Sequence, residues 1–188
     1  MSEHTYKIEE DEKVTAVMAY TSTSIYWGDA ITKKAIRVGG WMRSDFSPLI
    51  LELRNAHVLI FGGPTPISLN YINIYLPYDS LVAFHVMPGV KEDLYYDPTE
   101  KKRLMLPVSA FVGAFRFDGK FRLSAMTSVL RTLEVAKEDF MPLYEVEASH
   151  PGLPVGSVVK IDYVTVKRSL AVWSIPESPE RDILWKDS

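Results

Sequence analysis

The side chains with the most chemical potential in this 188-residue chain lie in its second half. Eight basic residues (Lys101, Lys102, Arg103, Arg116, Lys120, Arg122, Arg131 and Lys137) face only two acids, Asp118 and Glu134, a local excess of six positive charges in a chain of net charge −3. Cations interleaved with rings suit single-stranded nucleic acid, because the cations neutralise phosphates while the rings stack on bases. The run Phe115-Arg116-Phe117-Asp118-Gly119-Lys120-Phe121-Arg122 has both. Strand alternation, however, puts Phe115, Phe117 and Phe121 on one face and Arg116, Lys120 and Arg122 on the other. A stacking platform needs both on one exposed face; separate faces describe a core side and a solvated side. A nucleic-acid surface would use Arg116, Lys120, Arg122, Arg131, Lys167 and Arg168, and it is not the favoured reading.

A second group is Glu145, Glu147 and His150. Alternation sets both carboxylates on one strand face, with an imidazole just beyond. Converging, they would form a carboxylate–imidazole ligand site; the same pattern fits a polar outer face ending in a loop. The other histidines, His4, His57 and His85, show no helical or strand spacing to one another or to His150 that would suit a metal, and the chain has no cysteine. Thiolate metal sites and disulfides are therefore excluded. Ser124, His150 and Asp162 supply the residue types of a hydrolytic triad, but no Gly-x-Ser-x-Gly elbow accompanies them. Gly39-Gly40 and Gly62-Gly63 are isolated pairs without the fixed glycine spacing of a phosphate cradle. No catalytic residue, metal or cofactor is expected.

Hydrophobic residues make up 47% and charged residues 24% of the chain, which excludes a disordered one. No uncharged apolar run reaches the roughly 18 residues of a membrane span. Residues 1–13 carry five acids against Lys7 and Lys13, unlike a signal peptide. The expectation is a soluble, cytoplasmic protein with no membrane partner.

β-prone segments recur along the chain. They cover residues 14–20, 25–27, 48–60, 72–76 and 81–87, then 111–117, 141–148, 158–166 and 170–175. Asp118-Gly119 predicts a tight hairpin turn leading to Phe121, and Gly62-Gly63-Pro64-Thr65-Pro66 a turn between strands. Residues 31–38 and 124–135 have helical character. Ser124 is placed to cap the second of these, with Met126, Val129, Leu130 and Leu133 as its apolar positions.

Overlaying the halves at a spacing of 94 aligns Arg37 with Arg131, Asp45 with Asp139, Phe46 with Phe140, Pro48 with Pro142 and Leu49 with Leu143. At a spacing of 88, Tyr75 meets Tyr163, Ala83 meets Ala171 and Pro88 meets Pro176. The fold expectation is mainly β: two related small β-barrel units packed in tandem, with short helical segments. The first covers residues 14–88 and the second 107–176. A linker at 89–106 holds Tyr95-Tyr96, suited to an interface, and a tail at 177–188 holds Ile183-Leu184-Trp185.

The segment Gly119-Lys120-Phe121-Arg122-Leu123-Ser124, followed by Phe140-Met141-Pro142-Leu143-Tyr144, resembles an uncharacterised bacterial family of small β-barrel domains, in which a strand pair leads to an Arg-Leu-Ser-type turn. The first half keeps only Asp45-Phe46 and Pro48-Leu49 of this pattern. More distantly, the closing strand–break–strand unit is similar to the second motif of Sm-like barrels, which bind RNA and assemble into rings. That motif carries Arg-Gly in its last loop; Lys167-Arg168-Ser169 offers only Arg168. The resemblance implies the fold rather than an activity. The functional expectation is a non-enzymatic β-barrel interaction or assembly protein that self-associates. The alternatives are RNA or single-stranded DNA binding through residues 101–137, and a small-ligand or enzymatic site at Glu145, Glu147 and His150.

Overall fold

A computed structural model describes residues 7–92, 100, 103–154 and 156–177. His4, Tyr95-Tyr96, Lys101-Lys102 and Ile183-Leu184-Trp185 lie outside the described residues. The strands are β1 (Glu12–Tyr20), β2 (Ser24–Lys33), β3 (Ile50–Ile60), β4 (Ile67–Pro77), β5 (Ala83–Val86), β6 (Arg103–Val112), β7 (Phe115–Ser124), β8 (Phe140–Ser149), β9 (Val159–Lys167) and β10 (Val172–Ser174). One α-helix, α1 (Val129–Val135), and 3-10 turns at Val38–Arg43, Tyr78–Ser80 and Arg168–Leu170 complete the described elements. The chain is mainly β, as its composition of short β-prone segments implies. All ten strands join one antiparallel sheet in the order β10-β6-β7-β8-β9-β5-β1-β2-β3-β4, and the sheet does not close on itself. Its edges are β10 and β4.

The strand order has an internal pattern. β5 returns to pair with β1, and β10 returns to pair with β6. A 3-10 turn precedes each returning strand, and a helical segment separates β2 from β3 and β7 from β8. Ile50 pairs with Pro77 as Phe140 pairs with Lys167, so these strands correspond at a spacing of 90 residues. The pairing registers of β3–β4 and β8–β9 do not coincide with the sequence overlay at 94 and 88.

The same bend occurs at matching places. On β3, Asn55 and Ala56 together face Gly28 of β2; on β8, Glu145 and Val146 together face Gly119 of β7. The extra residue adopts a left-handed backbone in both cases, with φ of 47° at Asn55 and 49° at Glu145. Such a bulge bends a strand and increases its twist. It requires glycine opposite: a Cβ at Gly28 would lie 2.6 Å from the Arg54 carbonyl oxygen, and one at Gly119 would lie 3.0 Å from that of Tyr144.

This corrects the expected Asp118-Gly119 hairpin turn. β7 runs straight through the pair, and the turn lies at Gly113-Ala114, with Gly113 at φ 58°. Gly119 serves close strand approach instead of chain reversal. Three other boundaries shift as well. β2 continues to Lys33, so the helical turn begins only at Val38. Ser128, not Ser124, caps α1, its side chain accepting from the Arg131 N–H; Met126 stays exposed. β6 begins at Arg103, inside the expected linker.

Two apolar cores result. Leu51, Leu53, Ala56, Trp41, Met42 and Phe84 belong to one, while Phe115, Phe117, Phe121, Leu143, Val146 and Val164 belong to the other. β1 serves both: Val17 and Ala19 enter the first core, Met18 and Tyr20 the second. A strand covered on both faces needs a continuous apolar run instead of alternation, and Val17-Met18-Ala19-Tyr20 is one.

The glycine requirement is testable. Gly28→Ala should cost about 1–3 kcal/mol in urea unfolding, through overpacking. Gly62→Ala, where an added Cβ meets nothing within 4 Å, should be close to neutral by the same measurement.

Candidate functional site

Alternation along β7 buries Phe115, Phe117 and Phe121 and turns Arg116, Lys120 and Arg122 to the opposite face. The cations there are held by acids. Arg116 pairs with Asp118 at 2.8 Å, Lys120 with Glu145, and Arg122 with Glu100. On α1, Arg131 pairs with Glu134 at 3.5 Å. The other two make contacts with backbone oxygens. The Arg168 guanidinium donates to the Leu133 carbonyl at 2.6 Å. Lys167 is buried, with its Nζ 3.2 Å from the Asp79 carbonyl oxygen and over the rings of Tyr78 and Phe140. The rings and cations of residues 115–122 are thus separated, the basic residues are tied to protein partners, and Lys167 and Arg168 serve internal contacts.

Glu145 and Glu147 are exposed, as alternation requires, and each meets a lysine of a neighbouring strand: Lys120 for Glu145 and Lys160, at 3.7 Å, for Glu147. His150 turns elsewhere. Its ring stacks on Phe61 with centroids 3.9 Å apart, and its Nδ1 accepts from the Gly152 N–H. Partial burial there lowers its pKa. Among the described residues, no three acidic, histidine or cysteine side chains gather in a way that could hold a metal. The groove lined by Ile36, Arg37, Arg43 and Phe46 offers guanidinium groups, but Arg43 donates to the Tyr163 hydroxyl at 3.2 Å and pairs with Glu138 at 3.5 Å.

The most deeply buried titratable pair joins the strands between the two cores. The Tyr20 hydroxyl lies 3.0 Å from His85 Nε2, and His85 Nδ1 lies 2.6 Å from the Val86 carbonyl oxygen. A carbonyl only accepts, so Nδ1 carries the proton, Nε2 accepts, and the tyrosine hydroxyl donates. Burial pushes the His85 pKa down to about 4 and the Tyr20 pKa up.

The surface that remains unmatched is the sheet's edge. β4 exposes Ile67, Leu69, Tyr71, Ile72 and Tyr75. An edge strand carries a row of unpaired N–H and C=O groups, and native edges are commonly blunted with charge. Here no Asp, Glu, Lys or Arg stands between Arg54 and Asp79. That uncharged interval is the sequence signal for this surface, and a search by motif passes over it. At the other edge, β10 and its flanks expose Leu170, Val172 and Ile175. Among the described residues, no helix is long and apolar enough to cross a membrane. Compared with known family models, curated proteins and solved structures, the chain matches none of them.

Two outcomes follow from this geometry. His85 binds a proton less readily folded than unfolded, so acidification favours the unfolded chain. The stability contribution should be complete above pH 6.5 and fall by about 2 kcal/mol on going to pH 5. Urea unfolding at both pH values, compared with His85→Gln, measures that difference. Separately, Lys167→Ala should destabilise the fold by about 1–3 kcal/mol through its lost buried contacts, whereas Arg116→Ala, removing an exposed pair, should stay within about 0.5 kcal/mol.

Proposed function

We propose that this chain is a non-enzymatic interaction and assembly protein, built from two small-barrel-like units in tandem, that associates with itself through the edges of its sheet. The recurring strand order and the paired bulges at Asn55 and Glu145 support the two-unit reading. So does the division of the interior into two apolar cores. The strand–3-10–strand ending of each half is also the unit on which the resemblance to Sm-like barrels rests.

One observation carries the assembly reading. β4 is an eleven-residue edge strand, uncharged along its length, with apolar and aromatic side chains exposed on both faces. Strands of this kind act as templates for pairing with another chain. The tyrosines add contact area while keeping a polar tip for a wet rim.

Size-exclusion chromatography with light scattering, run over a wide concentration range, tests the reading. The expected result is a mass above that of one chain, rising with concentration. Tyr71→Lys combined with Ile72→Lys, a charge on each face of β4, should return the protein to a monomer that unfolds cooperatively with a midpoint independent of concentration. A wild-type chain that stays monomeric at every concentration overturns the reading.

A further inference from the structure

The geometry points to head-to-tail assembly, in which β4 of one copy pairs antiparallel with β10 of the next; this inference rests on the assembly reading above. Its template lies inside the molecule. β5 pairs antiparallel with β9 through Ala83 opposite Val166 and Phe84 opposite Thr165. β9 corresponds to β4 at a spacing of 90, and β10 to β5 at 89, since Ala83 faces Tyr20 as Val172 faces Phe111. The inner joint is therefore formed by the very strand types that, among the described residues, stand unpaired at the two ends of the sheet.

Burial shows what the joint covers. On β9, Thr165 is 0% exposed; at the matching place on β4, Tyr75 is 61% exposed. On β5, Ala83 is 0% exposed; its match on β10, Val172, is 69% exposed. Both outer edges therefore present apolar or aromatic side chains where the inner joint buries its own. Seating a second copy would cover both sets at once, and burial of apolar area drives such association.

The register follows from the template: Val172 opposite Leu76, and Trp173 opposite Tyr75. One difference is built in. In the inner joint the Lys167 N–H donates to the Val82 carbonyl. Pro77 occupies the matching place on β4 and has no N–H to give. The outer joint lacks that hydrogen bond and is the weaker of the two. Because the contact is heterologous, it closes into a ring or extends as a filament.

Cysteine cross-linking tests the register, and the chain's lack of cysteine leaves no background. Asn73→Cys and Ile175→Cys, opposed two pairs further along this register and both at exposed positions, are purified separately, mixed, and oxidised with oxidised glutathione. Directly opposed strand positions lie within disulfide reach. The mixture should yield a covalent dimer containing one of each chain, on the order of tenfold faster than either variant alone, because pairing raises the effective concentration of the two thiols. The double variant should give a ladder of higher species. If Asn73→Cys alone cross-links as fast as the mixture, the contact is a symmetric β4–β4 pair and the head-to-tail inference falls. If light scattering shows oligomers but the mixture does not cross-link, the inference falls while the assembly reading stands. A monomer in both measurements removes both.

Discussion

A backbone N–H or C=O buried without a partner costs about as much as a lost hydrogen bond, so wherever two apolar cores meet, the peptide groups between them must be paired. In this molecule that meeting place is the β9-β5-β1 seam. Few bonds secure it on the β9 side: two strand pairs, the Lys167 N–H to the Val82 carbonyl, and the Thr165 hydroxyl to the Phe84 carbonyl. On the other side β5 lies along β1, from Ala83 opposite Tyr20 to Val86 opposite Val17. The seam is polar only where each polar group has a fixed partner, as at His85 and Thr165, both fully buried. The single continuous sheet, the two cores and the pair of free edges all depend on this short central strand being satisfied on both sides.

The bends explain how one sheet can enclose two interiors. Each half turns about a bulge facing a glycine, and the residues before and after that bulge both point inward: Leu53 and Ala56 on β3, Leu143 and Val146 on β8. Were the extra residue accommodated in a regular strand without the bulge, strict alternation would send one of each pair to solvent. The side chain on the bulge itself is left outside, where Asn55 donates to Asp29 and Glu145 pairs with Lys120. Glu145, conspicuous as an acid beside Glu147 and His150, thus has a place in the fold that its chemical type does not announce.

Much of the strand content was legible because alternation and β-branched residues are local signals. The phenylalanines of β7 were assigned to the core on that basis and lie there. The Asp118-Gly119 pair misled because the demand for glycine at 119 comes from Tyr144 and Val146 on another strand, a contact no local pattern encodes. The identical residues Asp45-Phe46 and Asp139-Phe140 do not share a pairing position: Phe140 pairs with Lys167, while Ile50 and not Phe46 pairs with Pro77. Charge was the least legible feature. A local excess of positive residues gives no sign that acids from other parts of the chain neutralise them, as Glu100 does for Arg122 and Glu145 for Lys120.

The inner joint differs from any contact between chains in one respect that matters outside the crystal-like order of a sheet: β5 and β9 are tethered. Their encounter is governed by a local concentration fixed by chain length and independent of how dilute the protein is. Dilution can separate one chain from another, but it cannot separate the two cores of a single chain. Any larger structure these molecules build therefore adds cores two at a time, and an odd number of them never occurs.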